Sequence, residues 1–477
     1  MTFLLTGTLS PTLANAAASV RSAELQAVDC FNSALRALSA TCFTAKTPEN
    51  YDVPIGRQVE FPVAVIKGDK GGDPVFYFPG GPGRSVLDDE NVLRLLESSA
   101  GGRDLVVFAY RGSRRANPEL DCDPSYDNLL IFWSDFSPTV YTNGDTAKGL
   151  SFLTTYLETC HDKLIREGID LKQYTEYQIA LDIEALRKAL DYSAIHAVGH
   201  TAGASSAFTQ AQLFPDTVVS IIAESPWLRW TRNRSPIDEF GAARIVFTQL
   251  LAPYAGKNFE GHVFSLFDIG RARRALDEKP FKFVLNGRQA DFDGAALMQR
   301  LYMNLPGDLE TLAALLAATA DGDRSGLKDF IGQPRVRGEK KADKQGSLPW
   351  GLHFALPCGS MGADKLTKSE ALAIVEMEPA LLGFEPNIAC PWWETRGDVP
   401  ADFDRPPSLD IPVLVVTGKR DTCCGLRTVH DIMLVTPFVQ SVSLRERGAW
   451  VLGECRNHLV RQFLDDPREA IDSSCAF

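Results

Sequence analysis

Apolar and polar positions along this chain fall into two recurring patterns. Val75–Phe78, Leu105–Tyr110, Ile195–Val198, Val218–Ala223 and Val413–Thr417 are apolar nearly from end to end, as strands buried on both faces are. Arg57–Ile66 alternates before it turns apolar, and Val439–Leu444 reads as a late strand. Between them Ile179, Ile183, Leu186 and Leu190 recur at helical spacing, with Asp182, Glu184, Arg187 and Lys188 elsewhere. Leu459, Val460, Phe463 and Leu464 mark a final helix. A strand-helix-strand order this regular predicts an α/β protein with a mostly parallel sheet and helices on both faces. The five apolar strands should be sheet neighbours, with ligand-facing loops at their C-terminal ends.

From about Trp227 to about Pro400 the strand signal fades and helical patterns dominate, as in Leu309–Leu316. Gly332–Pro349 is rich in Lys, Arg and Gly and reads as a loop. The pattern divides the chain into a core over 19–226, a mainly helical insertion over 227–400, and the rest of the core over 401–477.

Chemistry concentrates where Ile195–Val198 runs into Gly199-His200-Thr201-Ala202-Gly203 and then a small-residue helix. A strand turning sharply into a helix through Gly-x-nucleophile-x-Gly is a nucleophile elbow, and its central residue is ordinarily Ser. Here it is Thr201. Val75–Phe78 stops at Pro79-Gly80-Gly81-Pro82-Gly83. Clustered glycines leave backbone N–H groups free to approach a substrate oxygen, so Gly81 and Ala202 are expected to form an oxyanion hole beside the Thr201 hydroxyl.

Leu105–Tyr110 continues into Arg111-Gly112, then Asn117-Pro118-Glu119-Leu120-Asp121-Cys122. In this order the motifs resemble the branch of the α/β-hydrolase superfamily that holds prolyl and tripeptidyl aminopeptidases. Those serine peptidases carry a His-Gly-Gly-Pro-Gly-like loop, a strand ending Asp-Gln-Arg-Gly, and a Ser elbow. Here Pro79 stands in the His place and the strand ends Ala109-Tyr110-Arg111-Gly112. The resemblance implies an α/β-hydrolase fold whose helical insertion caps the site and limits substrates to short peptides with a free N-terminus. It places the triad acid at Asp421, after an apolar strand ending Gly-x-x-Asp. It also places the His in the loop Gly448-Ala449-Trp450, where Ala449 now stands.

A threonine without a base is a poor nucleophile, and loss of a triad member removes most of the rate. The expected protein is a catalytically impaired aminopeptidase-like hydrolase that acts on or binds short peptides. Two other readings are a pseudoenzyme holding a peptide or small molecule, and an esterase or amidase using Thr201 with an unrecognised base. Each histidine reads first as a structural or surface residue, with His458 the least improbable substitute base. His200 adjoins Thr201, but neighbouring side chains leave the elbow in different directions. His161, His196, His262, His353 and His430 read as structural or surface residues.

Composition narrows the setting. The 477 residues are 45% hydrophobic and 23% charged, with a net charge of -12, which disfavours nucleic acid and anionic membranes as partners. No apolar run is long enough to span a bilayer. Met1–Leu9 followed by Ala14-Asn15-Ala16-Ala17-Ala18 fits a shortened signal peptide over 1–18. The ten cysteines also suit export, to the exterior or to a periplasmic or cell-envelope space. Their spacing suggests pairs Cys30 with Cys42, Cys122 with Cys160, and Cys358 with Cys390. Cys423 or Cys424 should then join Cys455, tying the Asp421 loop to the Ala449 loop, and the other should join Cys475. No C-x-x-C pair occurs, so no metal is expected, and no motif requires a cofactor.

Overall fold

The computed structural model describes residues 20–81, 83–122, 146–231, 236–285, 288–303, 308–332, 349–360, 366–381, 386–393, 395–400, 403–422, 426–445 and 447–477. The stretch expected to be a signal peptide, Cys423, Cys424 and most of the 332–349 loop therefore lie outside the described residues.

The strands are β1 (Glu24–Val28), β2 (Thr41–Pro48), β3 (Gln58–Ile66), β4 (Val75–Phe78), β5 (Leu105–Phe108), β6 (Ile195–His200) and β7 (Val218–Glu224). After the helical segment come β12 (Val413–Gly418) and β13 (Val439–Leu444). They form one nine-stranded sheet in the order β1-β2-β3-β5-β4-β6-β7-β12-β13. From β5 to β13 every pairing is parallel; β1, β2 and β3 join antiparallel along the β5 edge. The five expected strands are therefore neighbours. β5 is shorter than expected, while β6, β7 and β12 run one or two residues further.

Alternation of side chains decides which helices cover which face. Phe76, Phe78, Val106, Phe108, Ala197, Ile221 and Val415 point to one side. There they meet helices α3 (Thr146–Arg166), α4 (Glu176–Ala189) and α5 (Ala202–Leu213). Val75, Tyr77, Val107, Val198, Ile222, Leu414 and Val416 point to the other side. Helices α1 (Ser33–Ala37), α2 (Glu90–Ser99) and α15 (Glu454–Asp465) cover them.

Between β7 and β12 lie α6 (Pro236–Leu251), α7 (Asp268–Glu278), α8 (Gly294–Met303), α9 (Leu309–Ala320), α10 (Leu327–Gly332), α11 (Trp350–Ser360), α12 (Lys368–Met377) and α13 (Pro386–Ala389). Two hairpins interrupt them: β8 (Asn258–Phe259) with β9 (His262–Val263), and β10 (Phe281–Leu285) with β11 (Arg288–Phe292). Apolar side chains of this segment, such as Phe247, Leu276, Leu301 and Leu316, share a continuous core with the α3–α5 face of the sheet. Helix α14 (Leu426–Met433) links β12 to β13. Among the described residues, no helix is long and apolar enough to cross a membrane.

Disulfides join Cys30 to Cys42, Cys122 to Cys160 and Cys358 to Cys390, as the spacing suggests. The C-terminal pairing differs: Cys455 bonds Cys475, not Cys423 or Cys424. The chain leaving α15 doubles back along it, held by reciprocal hydrogen bonds between Gln462 and the Asp472 backbone and between Gln440 and the 469–471 backbone. Cys475 is thereby delivered to the start of α15, 5.6 Å from Cys455 between Cα atoms.

Candidate active site

Thr201 sits between β6 and α5 with φ 48° and ψ -114°. A side chain with a branched Cβ avoids this region, so the backbone here is strained. The surroundings hold it there. The Thr201 N–H donates to the Glu224 carbonyl at 2.8 Å, and the Thr201 carbonyl accepts from Ala204 and Trp227, each at 3.1 Å. The two glycines of the motif have steric reasons. A Cβ on Gly199 would lie 2.5 Å from Ala204 Cα, and one on Gly203 would enter the Phe78 carbonyl. Strand and helix meet only because both are absent.

The 79–83 loop closes on this elbow. A Cβ on Gly80 would lie 2.5 Å from the His200 carbonyl oxygen and closer still to Thr201 Oγ1. Gly81 has φ 120°, and the Arg84 N–H closes the turn onto the Gly80 carbonyl at 3.0 Å. Ala202 is the first residue of α5. On the far side of the loop a Gly83 Cβ would come within 2.9 Å of Leu352 on α11, so the helical segment reaches the edge of the site.

Asp421 is buried, in a turn closed by its N–H to the Gly418 carbonyl at 3.0 Å. Its loop is knitted to the Ala449 loop by backbone: Lys419 N–H to the Leu444 carbonyl and Arg420 N–H to the Arg447 carbonyl, both 2.9 Å. The tie expected from a disulfide is thus made by main-chain hydrogen bonds. Trp450, next to Ala449, packs edge-on against the His200 ring, with centroids 4.6 Å apart. The Thr201 elbow, the Gly80 loop and the Ala449 loop therefore converge, with the Asp421 loop bound to the last of them.

Two residues at this junction, Glu224 and Arg456, escaped the sequence reading, and a third, His200, was set aside by it. Glu224, the last residue of β7, is fully buried and paired with the equally buried Arg456 of α15. Burial alone would raise the Glu224 carboxyl, but Arg456 and His200 outweigh it and hold the group below its ordinary value. His200 turns Nδ1 toward Glu224 Oε2 at 3.7 Å. The only signal in sequence was a charged residue closing an apolar strand; its partner lies more than two hundred positions away.

The remaining histidines are engaged or distant. His196 Nδ1 is 2.8 Å from Ser220 Oγ, and burial, with Arg103 adding to it, lowers the imidazole to about 4. His161 meets Thr395, His262 meets Asp321, and His353 packs on Trp350 and Phe354. His430 is exposed on α14. His458, the least improbable substitute base, is also exposed, because Arg456, Asn457 and Leu459 take the buried side of α15. Arg111 is structural: it grips Asp182 through two hydrogen bonds of 2.6 Å and caps the 48–49 and 173 carbonyls. Among the described residues no group of His, Cys, Asp and Glu is arranged to hold a metal ion.

A family profile described as alpha/beta hydrolase fold matches residues 73–259, the span that carries the Gly80 loop, the elbow and β7. The chain has an α/β-hydrolase fold. It is similar to the serine protease Hip1 of Mycobacterium tuberculosis and of Mycobacterium bovis, at 28% identity over 193 residues in each case. That match covers 39% of this chain and 35% of those proteases, so it spans about a third of their length. Among solved structures, a proline iminopeptidase of Mycobacterium smegmatis is 14% identical, covering 89% of this chain and 93% of that one, with a TM-score of 0.37. An esterase of Exiguobacterium antarcticum is 12% identical over 85% of this chain and 95% of its own, with a TM-score of 0.33. In an α/β-hydrolase the elbow hydroxyl needs a base to become a nucleophile. Here the Thr201 hydroxyl makes no capping bond to its own helix and is half-buried at the surface where the loops meet.

Proposed function

We propose that this chain is an aminopeptidase-like hydrolase of the cell exterior or envelope that takes short peptides at Thr201 and turns them over slowly. The observation that carries the reading is the strained Thr201 turn, kept against its own steric preference and capped by the Gly80 loop. Strain of this kind persists where surrounding contacts over-determine it, and it gathers at working sites. In the proposed reaction Thr201 Oγ1 attacks the acyl carbon. The Gly81 and Ala202 N–H groups hold the developing oxyanion, and Asp421 marks the acid position of a triad whose imidazole is replaced by Ala449. The 227–400 segment serves as the cap over the site, and the four disulfides among the described residues support an oxidising location. Similarity to a serine protease supports a peptide over other acyl substrates.

Ala449 favours a second reading, a protein that binds its peptide without cleaving it. Covalent labelling by a fluorophosphonate, with the site located by peptide mapping, separates the two. A label on Thr201 that disappears in Thr201→Ala supports the hydrolase. No label on Thr201 overturns it and leaves the binding protein.

A further inference from the structure

With the usual imidazole position vacant, every other basic group near the elbow becomes a candidate for its task. We propose that His200, backed by Glu224, takes the Thr201 proton in place of the missing imidazole; this rests on the hydrolase reading above. Three observations point the same way.

The first fixes the tautomer. Nδ1 of His200 and Oε2 of Glu224 are both buried and have no hydrogen-bond partner among the described residues. They face each other at 3.7 Å, while Arg456 occupies the other carboxylate oxygen. A buried ring nitrogen facing an ionised carboxylate carries the proton, so Nδ1 is N–H and Nε2 is left as the acceptor.

The second is direction. His200 keeps 7% exposure although Nδ1 has none, so the accessible part of the residue lies elsewhere. Its Cδ2, the carbon bonded to Nε2, is 3.2 Å from the point a Gly80 Cβ would occupy, and Thr201 Oγ1 is nearer still to the same point. The Cδ2 side of the ring, opposite Nδ1, therefore lies on the side of the nucleophile.

The third is rigidity. Trp450 stands edge-on against the ring, and the Thr201 N–H is bonded to the Glu224 carbonyl. Base, acid and nucleophile backbone thus move as one unit. The buried acid of this arrangement is Glu224 at the end of β7, with Asp421 left to the loop that lost its imidazole.

The step balances without a further reactant. The Thr201 Oγ1 proton passes to His200 Nε2 as the Oγ1–acyl bond forms. The imidazolium then protonates the departing amine or alkoxide as its bond to the acyl carbon breaks, and water repeats the sequence to free Thr201.

The test is the rate of fluorophosphonate labelling of the full chain across pH. There the Oγ1–phosphorus bond forms, fluoride leaves and His200 takes the proton. Around the ring, Glu224 on β7 and Arg456 on α15 are charged. Tyr77 on β4, beside Glu224, is kept neutral by burial, and Trp450 and Gly80 do not titrate. The wild-type rate should fall on acidification, because a protonated imidazole cannot accept the Thr201 proton. His200→Asn, whose amide can still donate to Glu224, should label about 100-fold more slowly or worse. His458→Asn should label like wild type. Equal rates for wild type and His200→Asn would overturn the inference while Thr201 labelling kept the hydrolase reading alive. Should His200→Asn not fold, a wild-type rate that does not fall on acidification would overturn it equally. A wild type that never labels would sink both.

Discussion

Replacing Thr201 with glycine should stabilise the protein relative to replacing it with alanine, the reverse of the ordinary order. Both substitutions delete the hydroxyl and the methyl, so they differ only in the Cβ and in chain freedom. At φ 48° and ψ -114° a residue bearing a Cβ carries about 1–3 kcal/mol of backbone strain. Glycine removes that strain but costs about 0.5–1 kcal/mol through the greater freedom of the unfolded chain. The difference leaves Thr201→Gly more stable than Thr201→Ala by roughly 1 kcal/mol at the middle of these ranges. Urea unfolding with the disulfides intact measures it, provided both variants share one slope against denaturant. An alanine variant as stable as the glycine variant would mean that the turn is relaxed. The claim that the fold holds this hydroxyl in place against a cost would then be withdrawn.

Repairing the triad tests the impairment: Thr201→Ser with Ala449→His should raise the initial rate on a chromogenic amino-acyl amide about 100-fold over either single change. A wild type as fast as the double variant would refute impairment. Arg456→Met strands the buried Glu224 carboxylate and should cost about 3–5 kcal/mol in urea unfolding, with much of the loss recovered when Glu224→Gln is added. Glu224 lies below its ordinary value of 4.5, so its contribution is complete above that pH and is lost as pH falls through its folded value. Acid unfolding should therefore begin at higher pH in Arg456→Met than in wild type. His196 titrates near 4 in the folded chain against 6.5 when unfolded, so wild type should lose about 3 kcal/mol as pH falls from 6.5 toward 4. His196→Asn should lack that slope when stability is measured against pH, and an unchanged slope would assign it to other groups.

The parallel half of the sheet was legible because its strands are buried on both faces and so read as unbroken apolar runs. β1 and β2 were not. Glu24–Val28 is largely exposed, and Thr41–Pro48 mixes Thr and Lys with apolar residues, so neither stands out from loop sequence. The β10–β11 hairpin carried a usable signal in Asn286-Gly287 between Phe281–Leu285 and Arg288–Phe292, which the surrounding helical periodicity hid. At the site, Thr201, the Gly80 loop and the adjacency of the Asp421 and Ala449 loops could be read, since each depends on a motif contiguous in the chain. The Glu224–Arg456 pair and the edge of His200 turned to Gly80 could not, because contacts across such separations leave no local pattern. The Cys455 pairing failed for a related reason: it depends on the return of the last dozen residues along α15, which composition does not encode.

β7 ends at Glu224 and its neighbour β12 begins only at Val413, with α6 to α13 made in between. The entropy of closing so long an excursion is modest, since each doubling of a loop adds only about 0.6 kcal/mol. The order of synthesis matters more. While the intervening helices emerge from the ribosome, β7 is an unprotected edge with Val218, Ile221 and Ile222 on it, and Glu224 has no guanidinium to meet. Arg456 arrives later still. The nascent sheet thus stays open on the side of the Thr201 turn until α15 is made. A chain halted before Val413 would present a sticky parallel edge for other chains to join. Synthesis must run past Arg456 before Thr201 has a finished fold around it.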